Sequence, residues 1–152
     1  MALTFRNDPY ASFNFEIAID GISDDGKAVK GAFSEVTGLD LEVQPIDYRT
    51  GAEDIRVRKL PGLKKFPNLV LKRGVIGDPA LCRIQFQSAS GQVQRTSGHI
   101  SLLDESHQEV MRWNFQRAWA AKYSGPQLGA SKNEVALETL EIAHEGLYVD
   151  VG

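Results

Sequence analysis

Cysteine is almost missing from this chain of 152 residues: Cys82 stands alone. One cysteine excludes an internal disulfide framework and fits a reducing compartment. Histidine is scarce as well. His99, His107 and His144 are scattered, and none lies at ligand spacing from another His, Cys or carboxylate, so no metal site is expected. No apolar run approaches the length of a bilayer span. Met1 to Ser12 carries Arg6, Asp8 and Pro9 where a leader would be apolar. The expectation is a chain made in the cytoplasm without a signal peptide and without membrane anchoring of its own. Charge of one sign is not in excess either. Seventeen basic residues against 20 acidic give a net charge of −3, and no basic stripe interleaves with aromatics, which leaves nucleic-acid binding without electrostatic support.

The usual carriers of chemistry are absent in the same way. There is no Gly-rich phosphate loop, no Walker pattern and no serine in a nucleophile-elbow setting. Asp24-Asp25-Gly26 opens like a calcium loop but lacks the later ligands, and reads as a turn. Cys82 falls on a helix face as a small core residue. Neither catalytic residues nor a cofactor are expected, and the chain does not read as an enzyme.

What is present is a β-rich pattern. Hydrophobic residues make up 42% and charged residues 24%, ordinary values for a chain expected to form one domain over residues 1–152. Phe13, Phe15, Ile17 and Ile19 alternate with polar residues as in a half-buried strand. A weaker strand spans Val29–Val36 and stops at Thr37-Gly38. Leu39, Leu41 and Val43 face one way in the next, Leu39–Ile46, whose Pro45 places its end at an edge or a bulge. Leu69-Val70-Leu71 forms another strand, ending at Arg73-Gly74. Asp78-Pro79 then opens one helix, with Leu81, Cys82, Gln85, Phe86 and Ala89 on a shared face and Gly91 as its C-terminal cap. Gly98–Asp104 reads as a strand, followed by a polar turn over Glu105–Gln108. A long strand from Glu109 to Tyr123 places Met111, Trp113, Phe115 and Trp119 together, opposite Arg112, Asn114 and Gln116. Asn133–Leu147 fits a helix by propensity and a strand by alternation, and the residues alone leave both open.

The stretch with most information is the arm from Asp47 to Lys65. Nine of its nineteen residues are ionic: Asp47, Arg49, Glu53, Asp54, Arg56, Arg58, Lys59, Lys64 and Lys65. Such long connections are usually functional or disordered. Yet Ile55, Val57, Leu60, Leu63 and Phe66 are too apolar for a comfortably solvated loop. The combination suggests an arm that packs on something outside its own domain; taken alone, it also reads as a long solvated hairpin. The candidates for that outside contact are Tyr48, Arg49, Ile55, Arg56, Val57, Arg58, Lys59, Leu60, Leu63 and Lys64.

A family resemblance rests on residues in order along nearly the whole chain. They are Asp8-Pro-Tyr-Ala-Ser-Phe-Asn-Phe, Phe33-Ser-Glu-Val-Thr-Gly-Leu, Leu60-Pro-Gly-Leu-Lys-Lys-Phe, Gly98-His-Ile-Ser-Leu-Leu-Asp-Glu, Arg112-Trp-Asn-Phe-Gln-Arg-Ala-Trp, Tyr123-Ser-Gly-Pro-Gln-Leu and the run from Asn133 to Leu147. The sequence resembles the tail tube proteins of contractile phages and of phage-tail-like extracellular injection particles, whose fold is similar to that of the type VI secretion tube protein. It departs at Leu81-Cys82, where the family often carries an aromatic residue. The resemblance implies a mainly β (α+β) fold: two packed antiparallel sheets forming a β-barrel-like protomer with one flanking helix. It implies a hexameric ring with a shared channel barrel, and a strand over Asn133–Leu147. The implied function is the inner tube of a contractile injection apparatus. The implied partners are further copies of the chain, a contractile sheath protein, a baseplate hub or spike, a tube terminator, and effectors or DNA carried in the lumen. The alternative is a type VI secretion-like ring protein that carries effectors. For the channel lining, Asn14, Glu16 and Asp20 compete with Asp40, Glu42 and Gln44.

Overall fold

The computed structural model describes residues 8–20, 29–31, 33–49, 51, 57–75, 77, 79–131 and 133–151. The turn expected at Ser23–Gly26 and the helix cap expected at Asp78 lie outside them. Within them the fold is mainly β, all antiparallel, with one helix. The strands are β1 (Phe15–Ile19), β2 (Val29–Gly31), β3 (Phe33–Thr37), β4 (Glu42–Tyr48), β5 (Arg58–Lys65) and β6 (Leu69–Gly74), then β7 (Thr96–Leu103), β8 (Glu109–Ser124), β9 (Leu137–Ala143) and β10 (Gly146–Val151). The helix α1 (Ala80–Ala89) lies between β6 and β7. Eight strands form one hydrogen-bonded system in the order β2-β1-β7-β8-β9-β6-β3, with β10 also on β8, while β4 and β5 pair only with each other.

The long strand β8 joins two halves of this system. Its first part, to Ala118, pairs with β7, and Met111–Gln116 also pair with β10; Trp119–Ser124 pair with β9. Arg117 sits between the parts at φ 51°, a left-handed backbone that bulges the strand and bends it. The bulge reverses the alternation. Phe115 points into the core, and beyond Arg117 it is Ala118 and Ala120 that are buried, so Trp119 does not share the face of Phe115. A single inserted residue shifts a period of two, and the sequence pattern carried no mark of it. Barrel closure is not made by hydrogen bonds among the described residues. The path ends at β2 and β3, which lie one residue apart in the chain.

Both halves feed one apolar cluster: Ile17, Ile19, Ile100 and Phe115 from one, Phe33, Leu69, Leu71, Leu140 and Ile142 from the other, with Leu81 of α1. Each fully buried side chain of this size contributes about 1.5–3 kcal/mol. Strand alternation gives this packing directly, as Leu69, Leu71 and Arg73 face in while Val70 and Lys72 do not. Phe13 stands outside the pattern, 74% exposed and ahead of β1.

The helix ends as its residues dictate. Gly91 takes φ 85° and donates to the Ser88 carbonyl, while Gln92 donates to that of Gln87; these two bonds make a Schellman motif. Its start differs from the expectation, with Pro79 one position earlier, at the cap itself. So does its buried face. Leu81 is fully buried, with Ile84 packed against the core, and Phe86 is 69% exposed. Two adjacent helical faces are equally apolar in sequence, and the sheet selects the one carrying Ile84. The 133–147 stretch is strand, as the resemblance implied, but β9 starts at Leu137 and a break at His144-Glu145 separates it from β10.

Candidate assembly interface

The arm is itself a hairpin. The strand expected to end at Ile46 starts at Glu42 and runs to Tyr48, and Arg58–Lys65, expected as part of an irregular connection, pairs back on it. The register matches Tyr48 with Arg58, Asp47 with Lys59, Ile46 with Leu60 and Pro45 with Pro61, with an irregularity between Val43 and Pro45. Pro45 thus occupies an edge strand beside a bulge, as its missing N–H requires. Gly62 closes the same bulge: a Cβ there would stand 2.5 Å from the Gln44 carbonyl oxygen. The hairpin is rooted at Gly38, whose φ of 94° and approach to the Asn68 carbonyl admit no side chain.

The position of each expected interface residue follows. Tyr48, Val57, Arg58, Lys59, Leu60, Leu63 and Lys64 lie along the hairpin and are exposed, as is Arg49 just after β4; Ile55 and Arg56 lie outside the described residues. Leu63 is 80% exposed, and Leu41, Val43, Ile46 and Leu60 are each about half exposed. A two-stranded ribbon offers its apolar side chains little cover of its own and is marginal in isolation. β5 is also strongly cationic: Arg58, Lys59, Lys64 and Lys65, with no acidic residue.

Open strand edges accompany the arm. Among the described residues β3 pairs only with β6, and Trp119–Ser124 of β8 pair only with β9. These edges present unpaired backbone groups suited to strand addition.

The titratable groups serve structure. Arg73 and Glu138 form a buried ion pair, the Tyr123 hydroxyl donates to Glu138 Oε2 at 2.8 Å, and the Arg73 guanidinium lies 5.8 Å from the centre of the Phe33 ring. Burial, reinforced by that hydrogen bond, pushes the Tyr123 phenol up to about 12. The signal for this pair in the sequence is strand alternation, which places Arg73 in phase with Leu69 and Leu71, and Glu138 in phase with Leu140 and Ile142. His144 is buried in the β9–β10 break, with Nδ1 3.2 Å from the Gly146 carbonyl and Nε2 3.1 Å from that of Pro67. Its neighbour Glu145 points out and accepts from Arg95 at 3.1 Å and from Arg117 at 2.6 Å, tying the break to the bulge. On the polar face of β7 and β8, Arg112 holds the Glu109 carboxyl below its usual range, against the opposing effect of burial. Among the described residues no group of three or more His, Cys, Asp or Glu is placed to hold a metal ion, and no helix is long and apolar enough to cross a membrane.

Residues 11–148 match the family described as T4-like virus tail tube protein gp19. The chain belongs to that family. As a tail tube protein it also has solved neighbours in fold. A chain of the sheath–tube complex of the extracellular contractile injection system PVC, in the extended state, is 24% identical and aligns over 96% of this chain and 94% of its own, with a TM-score of 0.83. A chain of the anti-feeding prophage baseplate is 23% identical over 96% of this chain and 98% of its own, with a TM-score of 0.84. Hcp1 from Flavobacterium johnsoniae is 17% identical over 92% and 97%, with a TM-score of 0.62. A comparison with curated proteins found no match. The family is a structural one.

Proposed function

We propose that the chain is the repeating unit of the inner tube of a contractile injection apparatus. Residues 1–152 act as one tail-tube unit, six copies close into a ring around a shared β-lined channel, and rings stack. Contraction of a surrounding sheath drives the stacked tube through a target envelope. The observation that carries this reading is the hairpin. In a chain of the tail tube family, it holds apolar and cationic side chains away from the protein's own core.

Among the described residues the strand system has unlike free edges: β3 and the end of β8 in one half, β2 and β10 in the other. Contact between unlike surfaces is head-to-tail, and head-to-tail contacts close into rings or continue as filaments. The arm residues Tyr48, Arg49, Ile55, Arg56, Val57, Arg58, Lys59, Leu60, Leu63 and Lys64 bind the neighbouring copy. The partners are the sheath, the baseplate hub or spike and the terminator; the solved neighbours come from a sheath–tube complex, a baseplate and a sheath/tube terminator. Effector protein or DNA occupies the lumen, and the finished particle is a phage tail or an extracellular injection particle. The type VI-like alternative has weaker support, since the likeness to Hcp1 has a TM-score of 0.62 against 0.83 for the PVC chain.

Electron micrographs of the purified chain test the proposal. Rings or tubes are expected, alone or with the sheath protein. A species that stays monomeric at every concentration and salt condition refutes it.

A further inference from the structure

The connector between β5 and β6, Phe66 to Asn68, is the root of the arm, and it is held from two sides. Gly38 packs against the Asn68 carbonyl, a contact that no proton changes. On the other side stands His144, 9% exposed in the β9–β10 break. Its ring lies 5.7 Å from that of Phe66 and 6.5 Å from that of Phe115. Nε2 is 3.1 Å from the Pro67 carbonyl oxygen, and Nδ1 is 3.2 Å from that of Gly146. A carbonyl only accepts, and a neutral imidazole carries one N–H, so the neutral ring donates to one carbonyl and turns a lone pair on the other. The imidazolium donates to both. Burial opposes the charge, while hydrogen bonds to the charged form favour it. The charged side chains on the surrounding elements are engaged elsewhere or face solvent. Glu145 accepts from Arg95 and Arg117, Glu141 accepts from Asn68, and Lys64 and Lys65 are exposed at the end of β5. The ring's polar partners are the two carbonyls.

We infer that His144 is a proton-operated clasp on the arm: protonated at both nitrogens it ties the β5–β6 connector to the β9–β10 break, and neutral it lets that tie go. The inference rests on the tube reading above, since the arm is what the clasp would regulate. The Gly146 carbonyl is two residues from the ring, and holding it orders almost no further chain. That is the bond a neutral ring keeps. The bond it releases is the one to Pro67, 77 residues away. Histidine is the side chain that ordinarily changes charge between pH 5 and 8. The second bond is therefore present on the acid side of that range and lost as the pH rises through it. Mild acid holds the arm in place for assembly, and mild alkali loosens it.

The test compares the full chain with His144→Gln, whose amide keeps a donor but does not titrate, at about pH 5.5 and about pH 8.5. The parent's urea midpoint should exceed the variant's by a wider margin at the lower pH. The concentration needed for tubes, read by sedimentation, should rise about tenfold more in the parent than in the variant on going to the higher pH, which corresponds to one charge-assisted hydrogen bond at the low end of its range. His99 and His107 are present in both proteins and cancel from the comparison. Nitrogen spectra of the parent's histidine rings check the clasp without a variant: His144 should carry two protons at the lower pH and one, on Nδ1, at the higher. A ring in the same state at both pH values, or a urea margin that does not change, overturns the clasp and leaves the tube reading standing. Tube concentrations that rise equally in the two proteins overturn its hold on the arm. If the unsubstituted chain forms neither rings nor tubes at either pH, the tube reading fails and the clasp's part in assembly with it.

Discussion

Arg73 and Glu138 are direct cross-strand partners on β6 and β9, both face the core, and their side chains form an ion pair at 1% and 4% exposure. Removing one member of such a pair strands a charge in the interior. Glu138→Ala should therefore cost about 3–5 kcal/mol in urea denaturation. The double substitution Arg73→Met with Glu138→Leu should recover most of that loss, because replacing a whole buried pair by apolar groups of similar size is often neutral. A double variant as unstable as the single one would mean that packing, not the unpaired charge, sets the cost.

Tyr123 sits on the same pair, and its phenol is pushed from 10.0 up to about 12, first by burial and then by its bond to Glu138. The folded state holds this proton more tightly than the unfolded chain. Its contribution is fully present below pH 10 and is lost as the pH rises through about 12. The stability gap between the parent and Tyr123→Phe should narrow across that window. Parallel profiles in chemical denaturation at pH 9 and pH 12 would contradict the assignment.

Charge reversal on the arm should separate assembly from folding. Arg58→Glu alters an exposed strand of the hairpin, where substitutions usually change stability by no more than about 0.5 kcal/mol. Thermal unfolding of the protomer should be unaltered while tubes in micrographs become short or vanish. Tubes of parental length would remove Arg58 from the interface.

Gly38 carries the turn from β3 into the hairpin at φ 94°, against the Asn68 carbonyl. Gly38→Ala combines an unfavourable left-handed backbone with a steric clash, so it should cost at least about 1–3 kcal/mol. Equilibrium unfolding measures this directly, and a neutral result would show that the turn can relax.

Much of the strand plan was legible because burial on one face writes itself as alternation. Phe15–Ile19, Leu69–Gly74 and Gly98–Leu103 read correctly, as did the turn over Glu105–Gln108 and the Gly91 cap. Alternation fails where the backbone breaks its own period. The bulge at Arg117 turned Trp119 away from the face of Phe115, and no residue preference announces an arginine at positive φ. β4 was legible in part as the strand over Leu39–Ile46, and a long hairpin was one reading of the arm, but β5 was not legible as a strand because it satisfies no core of its own chain.

Composition and local pattern by themselves determined the β-rich class, the helix after β6 and the absence of a familiar catalytic motif, since these depend on neighbours a few residues apart. The ordered run of family residues added the tail tube assignment and strand character after Asn133. Tertiary structure decided the rest: which face of α1 is buried, how one strand serves two halves of the fold, and the meeting of Arg73 with Glu138. Those outcomes depend on contacts between segments tens of residues apart, and their energies come from packing and desolvation, which no local pattern encodes.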